Sequence, residues 1–511
     1  MKESQLPKPP YRIIYNYDSG PIFFQKEPVT PEHVDRMVDD VADAGADVLL
    51  VCANDQTTCF PSRTWQRFWD GFEEGDMSFF VDVPESRIEN RIHWIRQTKR
   101  LSAECDYLER AMTRCRQRGI IPGITMRMND MHGGGEGPKS HMRSRFYQDH
   151  PEYHTRCIEP RGYAREALDY AHPEVREHAM TLIREFVEHY DHEVLELDFT
   201  RFAFYFDRDD VDDHCGIMNG FMREVRALID AGNRRIALIP RVASNPGAAR
   251  QLGFDVEAWG RERLVDGLTV SQFINSGWEM PIDHFRSLVG SDVALYAGSM
   301  ASGCHWDGLP PDSLALSPEL MRGFASGYYG LGADGVNLFN FFTPLNMKPP
   351  REPCYATIAE LRDPDRLRRS VRRHLITGGA ELVETDLPGQ VPDDIGKDKS
   401  RSFEMVLTAE PEGAEVTARV FFDGANEPED LWLRIGMHSI GHAHEIQKGP
   451  DGHDGKVRPE SKPRRSRIAV FPLPHGVIQD GRNEFVLRSE NVGTTVLGID
   501  VCVGGESRTA P

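Results

Sequence analysis

Paired cysteines, a long apolar run and a surplus of positive charge are all missing from this 511-residue chain, and each absence removes a class of protein. The nine cysteines are an odd number, scattered at positions 52, 59, 105, 115, 157, 215, 304, 354 and 502. No CxxC pair occurs, which argues against a disulfide framework or a zinc knuckle and for reduced thiols. No stretch is long and apolar enough to span a bilayer. The opening segment, Met1-Lys2-Glu3-Ser4-Gln5-Leu6-Pro7, carries no apolar signal core. The expected setting is therefore aqueous, with the cytoplasm preferred over secretion after signal removal. Lys and Arg number 60 against 80 Asp and Glu, a net charge of −20, so nucleic acid or an anionic membrane would be repelled. An anionic small molecule is not excluded, because a few arginines can reverse the potential inside a cleft. Homo-oligomerisation stays open.

What is present is a repeating alternation. The length suggests two domains, one of them a large barrel. From residue 12 to about 375, short apolar runs alternate with amphipathic segments. The strand-like runs are 12–18, 47–55, 120–127, 193–201, 236–242, 264–272, 293–298 and 335–341. Thr30-Pro31-Glu32-His33 reads as a helix start, with Thr as N-cap and Pro in the first position. Eight strands alternating with helices predict a (β/α)8 TIM barrel with insertions over residues 10–376. A doubly wound open sheet is the competing fold. It would more naturally carry a glycine-rich phosphate loop after its first strand, and Asp18-Ser19-Gly20-Pro21 is not one. After Leu375 the alternation changes to period two, as in 402–407, 415–421, 430–435, 467–471 and 483–487, which predicts an antiparallel β-sandwich over residues 377–511. That module could bind carbohydrate or serve only packing or oligomerisation. His438, His442, His444 and His453 within it read as loop histidines.

The third run is the most informative. It passes from Ile120-Ile121-Pro122-Gly123-Ile124 into Thr125-Met126-Arg127-Met128-Asn129-Asp130-Met131-His132 and then three glycines. A core does not tolerate that many polar groups unless they line a site, although they could also merely tie a loop to the sheet. In a parallel barrel the C-terminal strand ends are where chemistry sits. Similar groups end the other strands: Asn16 and Asp18, Asn54 and Asp55, Asp198 and Arg201, Arg241, Gln272, and Asn337 and Asn340. Converging, they would bind a hydroxyl-rich or charged small molecule. Trp65, Phe68, Trp69, Phe72, Phe79 and Phe80 of the second insertion, with Trp278 and Trp306, could stack on sugar faces or simply pack.

The strand-end arginines have two readings. They can neutralise Asp55, Asp130 or Asp198, or they can clamp a substrate carboxylate, for which planar bidentate geometry favours Arg. Asp18 and His132 are the acid/base candidates, since a carboxylate-held histidine can activate water near neutral pH. A carboxylate pair drawn from Asp18, Asp130 and Asp198 is the alternative. His132, His141, His150 and His154 lack the helical pairing with Glu that marks a zinc hydrolase, and no metal or other cofactor is expected. The Asp207 to Asp213 stretch lacks the central Gly and terminal Glu of a calcium loop and reads as a solvated acidic loop.

Two resemblances follow from these residues. The run 168–176 (Leu168-Asp169-Tyr170-Ala171-His172-Pro173-Glu174-Val175-Arg176), followed by Leu195-Glu196-Leu197-Asp198-Phe199-Thr200-Arg201-Phe202, resembles the broad group of glycoside-hydrolase-like barrels. More narrowly, the chain resembles the inverting exo-sialidases of glycoside hydrolase family 156. Asp18 at an early strand end, Arg127 five residues before His132, Arg201 on the fourth strand, and Asn340 or Asn346 near the eighth carry that resemblance. It implies that Arg127 and Arg201 grip the carboxylate of a sialylated glycan. It further implies that Asp18 and His132 act on the attacking water and anomeric centre, with Asn340 positioning the substrate. Asn16, Asp130, Asp198 and Gln272 complete the expected substrate-binding set. Two other functions stay open: a glycosidase for a neutral or uronic sugar using Asp130 and Asp198, and a non-catalytic sugar-binding barrel.

Overall fold

The structure, a computed structural model, describes residues 8–133, 136–137, 139–156, 167–207, 211–273, 277–300, 316–341, 352–376, 389–423, 431–451 and 465–504. Asn346, Trp306 and His453 lie outside the described residues. The first two-thirds of the chain closes a parallel barrel from β1 (Ile13–Tyr17), β2 (Val48–Cys52), β3 (Ile121–Arg127), β4 (Val194–Asp198), β5 (Ala237–Leu238), β6 (Arg241–Ala243), β7 (Gly267–Ser271), β8 (Ala294–Met300) and β9 (Gly335–Phe339). β1 to β4 pair in turn, β4 receives both β5 and β6, β6 to β9 pair in turn, and β9 returns to β1. The eight-position TIM barrel predicted from the alternation is thus observed.

The fifth position differs from the expected single strand over 236–242. Pro240 has no N–H for the ladder, and the run divides into β5 and β6 around Ile239-Pro240. The ladder continues across the break through Ile239 N–H to Leu195 O at 2.9 Å and Thr269 N–H to Pro240 O at 2.9 Å. Helices cover the outside. Pro31–Asp43 begins after Thr30 as expected, with the Thr30 N–H donating to His33 Nδ1 at 3.1 Å. Asp212 and Asp213, expected in an acidic loop, instead lie in helix Val211–Ala231. The aromatic insertion after β2 hides the 20-residue helix Glu85–Glu104.

Strand alternation sorts the barrel interior into layers. Ile14, Val48, Leu50, Val194, Ala237, Ile239, Ala294 and Tyr296 form a closed apolar plug. One step further along the strands come Asn16, Thr125, Glu196, Thr269 and Asn337, all buried. Beyond them, at the C-terminal ends, stand Arg127, Asp198 and Arg241. The plug closes one end, so a cleft can open only at the other.

The C-terminal part is an antiparallel sandwich, built from β10 (Arg372–Leu375), β11 (Asp393–Ile395), β12 (Lys399–Leu407), β13 (Val416–Asp423), β14 (Leu431–Ile435), β15 (His438–His442), β16 (Glu445–Asp451), β17 (Arg465–Leu473), β18 (Gly481–Ser489) and β19 (Thr494–Val503). One sheet runs β10-β19-β13-β17-β16 with β11 beside β19, and the other runs β12-β18-β14-β15. His438 and His442 are strand residues of the edge strand β15, not loop residues. β19 escapes a period-two reading because it is buried along almost its whole length. Helix Pro318–Gly330 meets this sandwich closely, for Ser326 and Thr408 hydroxyls lie 2.6 Å apart.

Gly323 in that helix makes the contact possible. A Cβ there would stand 2.0 Å from the Arg373 carbonyl oxygen. Gly→Ala in an open helix gains roughly 0.5–1 kcal/mol, but overpacking against backbone costs about 1–3 kcal/mol. Gly323→Ala is therefore expected to destabilise, whereas Gly216→Ala, with open space around it, is expected to stabilise. Urea unfolding of both variants checks the opposite signs.

Candidate active site

β1, β2, β3 and β4 end side by side, and their terminal side chains meet. Arg127 is the hub. Its Nη2 lies 2.8 Å from Asp18 Oδ2, and its Nη1 donates to Asp130 Oδ2 at 3.1 Å and to Asp55. Its backbone is fixed by Asn54, which accepts the Arg127 N–H and donates to the Arg127 carbonyl at 3.0 Å. Burial works against the Arg127 charge, but the surrounding carboxylates of Asp18, Asp55 and Asp130 hold its pKa well above the ordinary range.

His132 stands just past the strand. Its Nδ1 is 2.8 Å from Asp130 Oδ2, and its backbone N–H donates to Asp130 Oδ1 at 2.8 Å. Asp130 is completely buried; desolvation opposes its charge, yet His132 and Arg127 hold its pKa far below the carboxylate range. An ionised Asp130 takes the Nδ1–H and leaves Nε2 as the basic nitrogen. That Nε2 lies 3.4 Å from Arg201 Nη2, and the ring meets Phe202 edge-on at 5.1 Å. Gly133 turns the chain away at φ +82°, a conformation costly for other residues.

Arg201 differs from Arg127. Its partners are distant, Asp18 Oδ2 at 3.5 Å and His132 Nε2 at 3.4 Å, and its buried Nε has no partner among the described residues. Burial, reinforced by repulsion from Arg127, lowers its pKa. Both penalties would be relieved by a bound anion. Asp18 is half-buried. Desolvation raises its pKa, but Arg127, Arg201 and His132 together hold it below the ordinary value. Asp55 goes the other way, raised by burial and by its neighbour Asp130.

These groups open on a cavity of about 580 Å³, lined by Asp18, Asp55, Arg127 and His132 on the barrel side, a size suited to small-molecule sites of roughly 300–1,000 Å³. A smaller void of about 10 Å³ gathers Asn16, Asp198, Arg201, Arg241 and Asn340 around one point. Asn340 and Phe202 adopt φ of +49° and +58°, rare for such residues and typical of functional sites.

Other expected residues have different work. Asp198 accepts Thr200 N–H and Oγ1–H at 3.0 and 2.8 Å, Arg201 N–H at 3.1 Å and Arg241 Nη1–H at 3.0 Å. Gln272 meets Arg241 through its backbone carbonyl at 3.0 Å. Asn129 holds the chain at Leu168 and Phe204 through its amide. Arg241 lies 3.9 Å from the Phe339 ring. Trp65, Phe68, Trp69, Phe72 and Phe80 are buried in the core, and Trp278 packs against Phe324. The aromatic groups that do line the cavity are Trp94 and Phe24. Asp55, Asp130 and His132 could offer three ligand atoms to a metal within 4.8 Å of one another, but the Arg127 guanidinium already bridges both carboxylates. The seven described cysteines form no disulfide with one another, and no described helix is long and apolar enough to cross a membrane.

Glu196, beneath the site, was not singled out by sequence because it sits in an apolar run. Its Oε1 accepts Asn16 Nδ2–H at 2.5 Å and Thr125 Oγ1–H at 2.8 Å, and its Oε2 accepts Asn337 Nδ2–H at 2.9 Å. Complete burial, with Asp198 adding repulsion, pushes its pKa from 4.5 up to about 7. A carboxyl raised in the fold makes stability fall as pH climbs from 4.5 towards 7, then level off. Glu196→Gln is therefore expected to be more stable than the parent at pH 8, by on the order of 2–3 kcal/mol. The gain should vanish near pH 4, where the parent carboxyl is protonated in both states. Urea unfolding at the two pH values checks it.

Fold and site together define a TIM barrel carrying a charged, arginine-bearing cleft at its C-terminal mouth, joined to a β-sandwich. No protein-family model matches the chain, and no curated protein does. Solved structures similar to it include alpha-L-fucosidase isoenzyme 2 from Paenibacillus thiaminolyticus, at 11% identity over 69% of this chain and 48% of that one, with a TM-score of 0.43. A GH36 alpha-galactosidase from Geobacillus stearothermophilus is 12% identical over 94% of this chain and 55% of its own, TM-score 0.40. The PgaB glycoside hydrolase domain from Bordetella bronchiseptica is 10% identical over 70% and 99%, TM-score 0.41. The chain spans about half the length of the fucosidase.

Proposed function

We propose that this protein is a glycoside hydrolase, an exo-sialidase that releases terminal sialic acid from sialosides by inverting attack of water. The observation that carries the reading is the incompletely satisfied Arg201 guanidinium beside a His132–Asp130 dyad, close to a cavity of about 580 Å³. A sialoside bears a carboxylate on its own anomeric carbon. Arg201, whose Nη2 is held only by long contacts to Asp18 at 3.5 Å and His132 at 3.4 Å, suits that carboxylate. Arg127 is spent on Asp18, Asp55 and Asp130, so it orients these groups and supplies field more than direct grip.

In the reaction, a water proton passes to His132 Nε2 as the water oxygen bonds the anomeric carbon and the glycosidic C–O bond breaks. The leaving oxygen takes the bond's electron pair and a proton from solvent, and the imidazolium then returns its proton to solvent. Asp130 stabilises the imidazolium that forms, as carboxylate–histidine pairs do. Asp18, held ionised, stabilises the oxocarbenium-like charge at the anomeric centre. Asn340 and Asn16 line the small void beside Asp18 and Arg201 and suit a sugar hydroxyl reaching into it.

The competing carboxylate pair, Asp130 with Asp198, has less support. Both are almost completely buried, and both are saturated by protein donors. A panel of fluorogenic aryl glycosides tests the reading: release is expected from the sialoside and not from neutral or uronic glycosides. Release from a uronide or hexoside with an inert sialoside would overturn it.

A further inference from the structure

The barrel mouth supplies only part of the cavity wall. Helix Glu85–Glu104 supplies Arg87, Arg91 and Trp94, and the stretch after β1 supplies Phe24. Arg87 Nη1 and Arg91 Nη2 approach the same oxygen, Glu136 Oε1, at 3.4 and 3.1 Å, while the other Glu136 oxygen takes the Ser140 hydroxyl. One carboxylate thus serves two guanidiniums, leaving this cluster one positive charge in excess. Arg87 is 57% exposed as a side chain, and Glu136 is fully covered. The Arg91 guanidinium lies 5.7 Å from the Trp94 ring, which the Phe24 ring meets edge-on at 5.0 Å. Phe24 is itself 58% exposed, a large apolar ring left open beside the cation pair. An exposed aromatic next to guanidinium donors is the composition of a binding wall, not of a solvated helix face.

This cationic wall lines the same cavity as Asp18, Arg127 and His132, while Arg201 lines the small void next to it. Sialic acid has one carboxylate, which Arg201 satisfies in the proposed function. We infer that the Arg87–Arg91 wall is a leaving-group subsite for an aglycone that itself carries an anion, such as the carboxylate of a second sialic acid or a sulfate ester on the penultimate sugar. The inference rests on the sialidase reading for the identity of the first sugar. The anion binds the guanidinium edges not used by Glu136, and the apolar face of its ring lies against Phe24 and Trp94. The preferred substrates are then oligosialosides or sulfated sialyl-galactosides over neutral sialyl-galactosides.

The test compares three sugars on the full-length protein: a sialyl-galactoside, its sulfated form, and an α-linked disialoside. Both kcat/KM and calorimetric affinity are measured. At least one anionic-aglycone sugar is expected to exceed the neutral one by about tenfold in both. Arg87→Glu, at a solvent-exposed position, should abolish or invert that ratio, and Arg91→Gln should reduce it. Ratios near one in the parent, or ratios unchanged in Arg87→Glu, overturn the subsite while leaving the sialidase reading intact. Anion-selective binding without hydrolysis of any of the three overturns the sialidase reading and keeps the subsite. No binding and no turnover overturns both. The disialoside and sulfate arms separate the two sources of the anion.

Discussion

Replacing His132 with alanine is expected to lower kcat on a fluorogenic sialoside by about 10²- to 10⁴-fold, the usual contribution of a positioned general base. The loss should fall on kcat with little change in KM, because the imidazole acts on water and not on the ground-state sugar. His132 is 37% exposed as a side chain, so its removal opens no core cavity, but it takes a hydrogen-bond partner from buried Asp130, and the thermal midpoint should fall, by less than in Arg127→Ala. Asp130→Asn is expected to reproduce most of the loss. It leaves the imidazole without a partner able to balance its positive charge. Activity within a fewfold of the parent in His132→Ala would remove His132 from the chemistry.

The second large effect is on stability. If Arg127 were only a substrate clamp, Arg127→Ala would abolish activity in an intact fold. Its three carboxylate partners predict otherwise. Asp55 and Asp130 are nearly or completely buried and Asp18 is half-covered, so removing the guanidinium leaves uncompensated charge. Breaking a buried ionic cluster in this way costs about 3–5 kcal/mol. The pH dependence has a definite sign. In the parent, Asp18 and Asp130 are depressed, so their stabilisation is present above pH 3.8 and is lost as pH falls through their lower folded values. In Arg127→Ala the same carboxyls are raised, so the destabilisation should shrink on acidification. Urea unfolding of parent and variant at pH 5 and pH 8 reads both effects. Arg127→Lys should recover part of the stability, since it restores charge without the planar fork.

The barrel was legible because parallel strands buried on both faces read as apolar runs, with amphipathic helices between them. The cleft was legible at its rim for a related reason. Asp18, Arg127, His132 and Arg201 interrupt that apolar pattern at strand ends, and the structure brings them within contact of one another. The division of labour between the arginines was not legible. It depends on Asp55, which lies 72 residues from Arg127 in sequence, reaching the same guanidinium. Glu196 was hidden because a buried carboxyl in the middle of a strand has the same spacing as its apolar neighbours. Arg87, Arg91 and Phe24 were hidden for the opposite reason. They look like ordinary surface residues until the helix of the second insertion is folded against the mouth of the barrel.

The most direct measurement is a proton NMR time course on an α-sialoside with the full-length protein. Water attack with inversion predicts that the β anomer of free sialic acid accumulates first, with the α anomer growing in only by mutarotation. First appearance of the α anomer, or no release at all, would contradict the proposed chemistry of His132, Asp18 and Arg201.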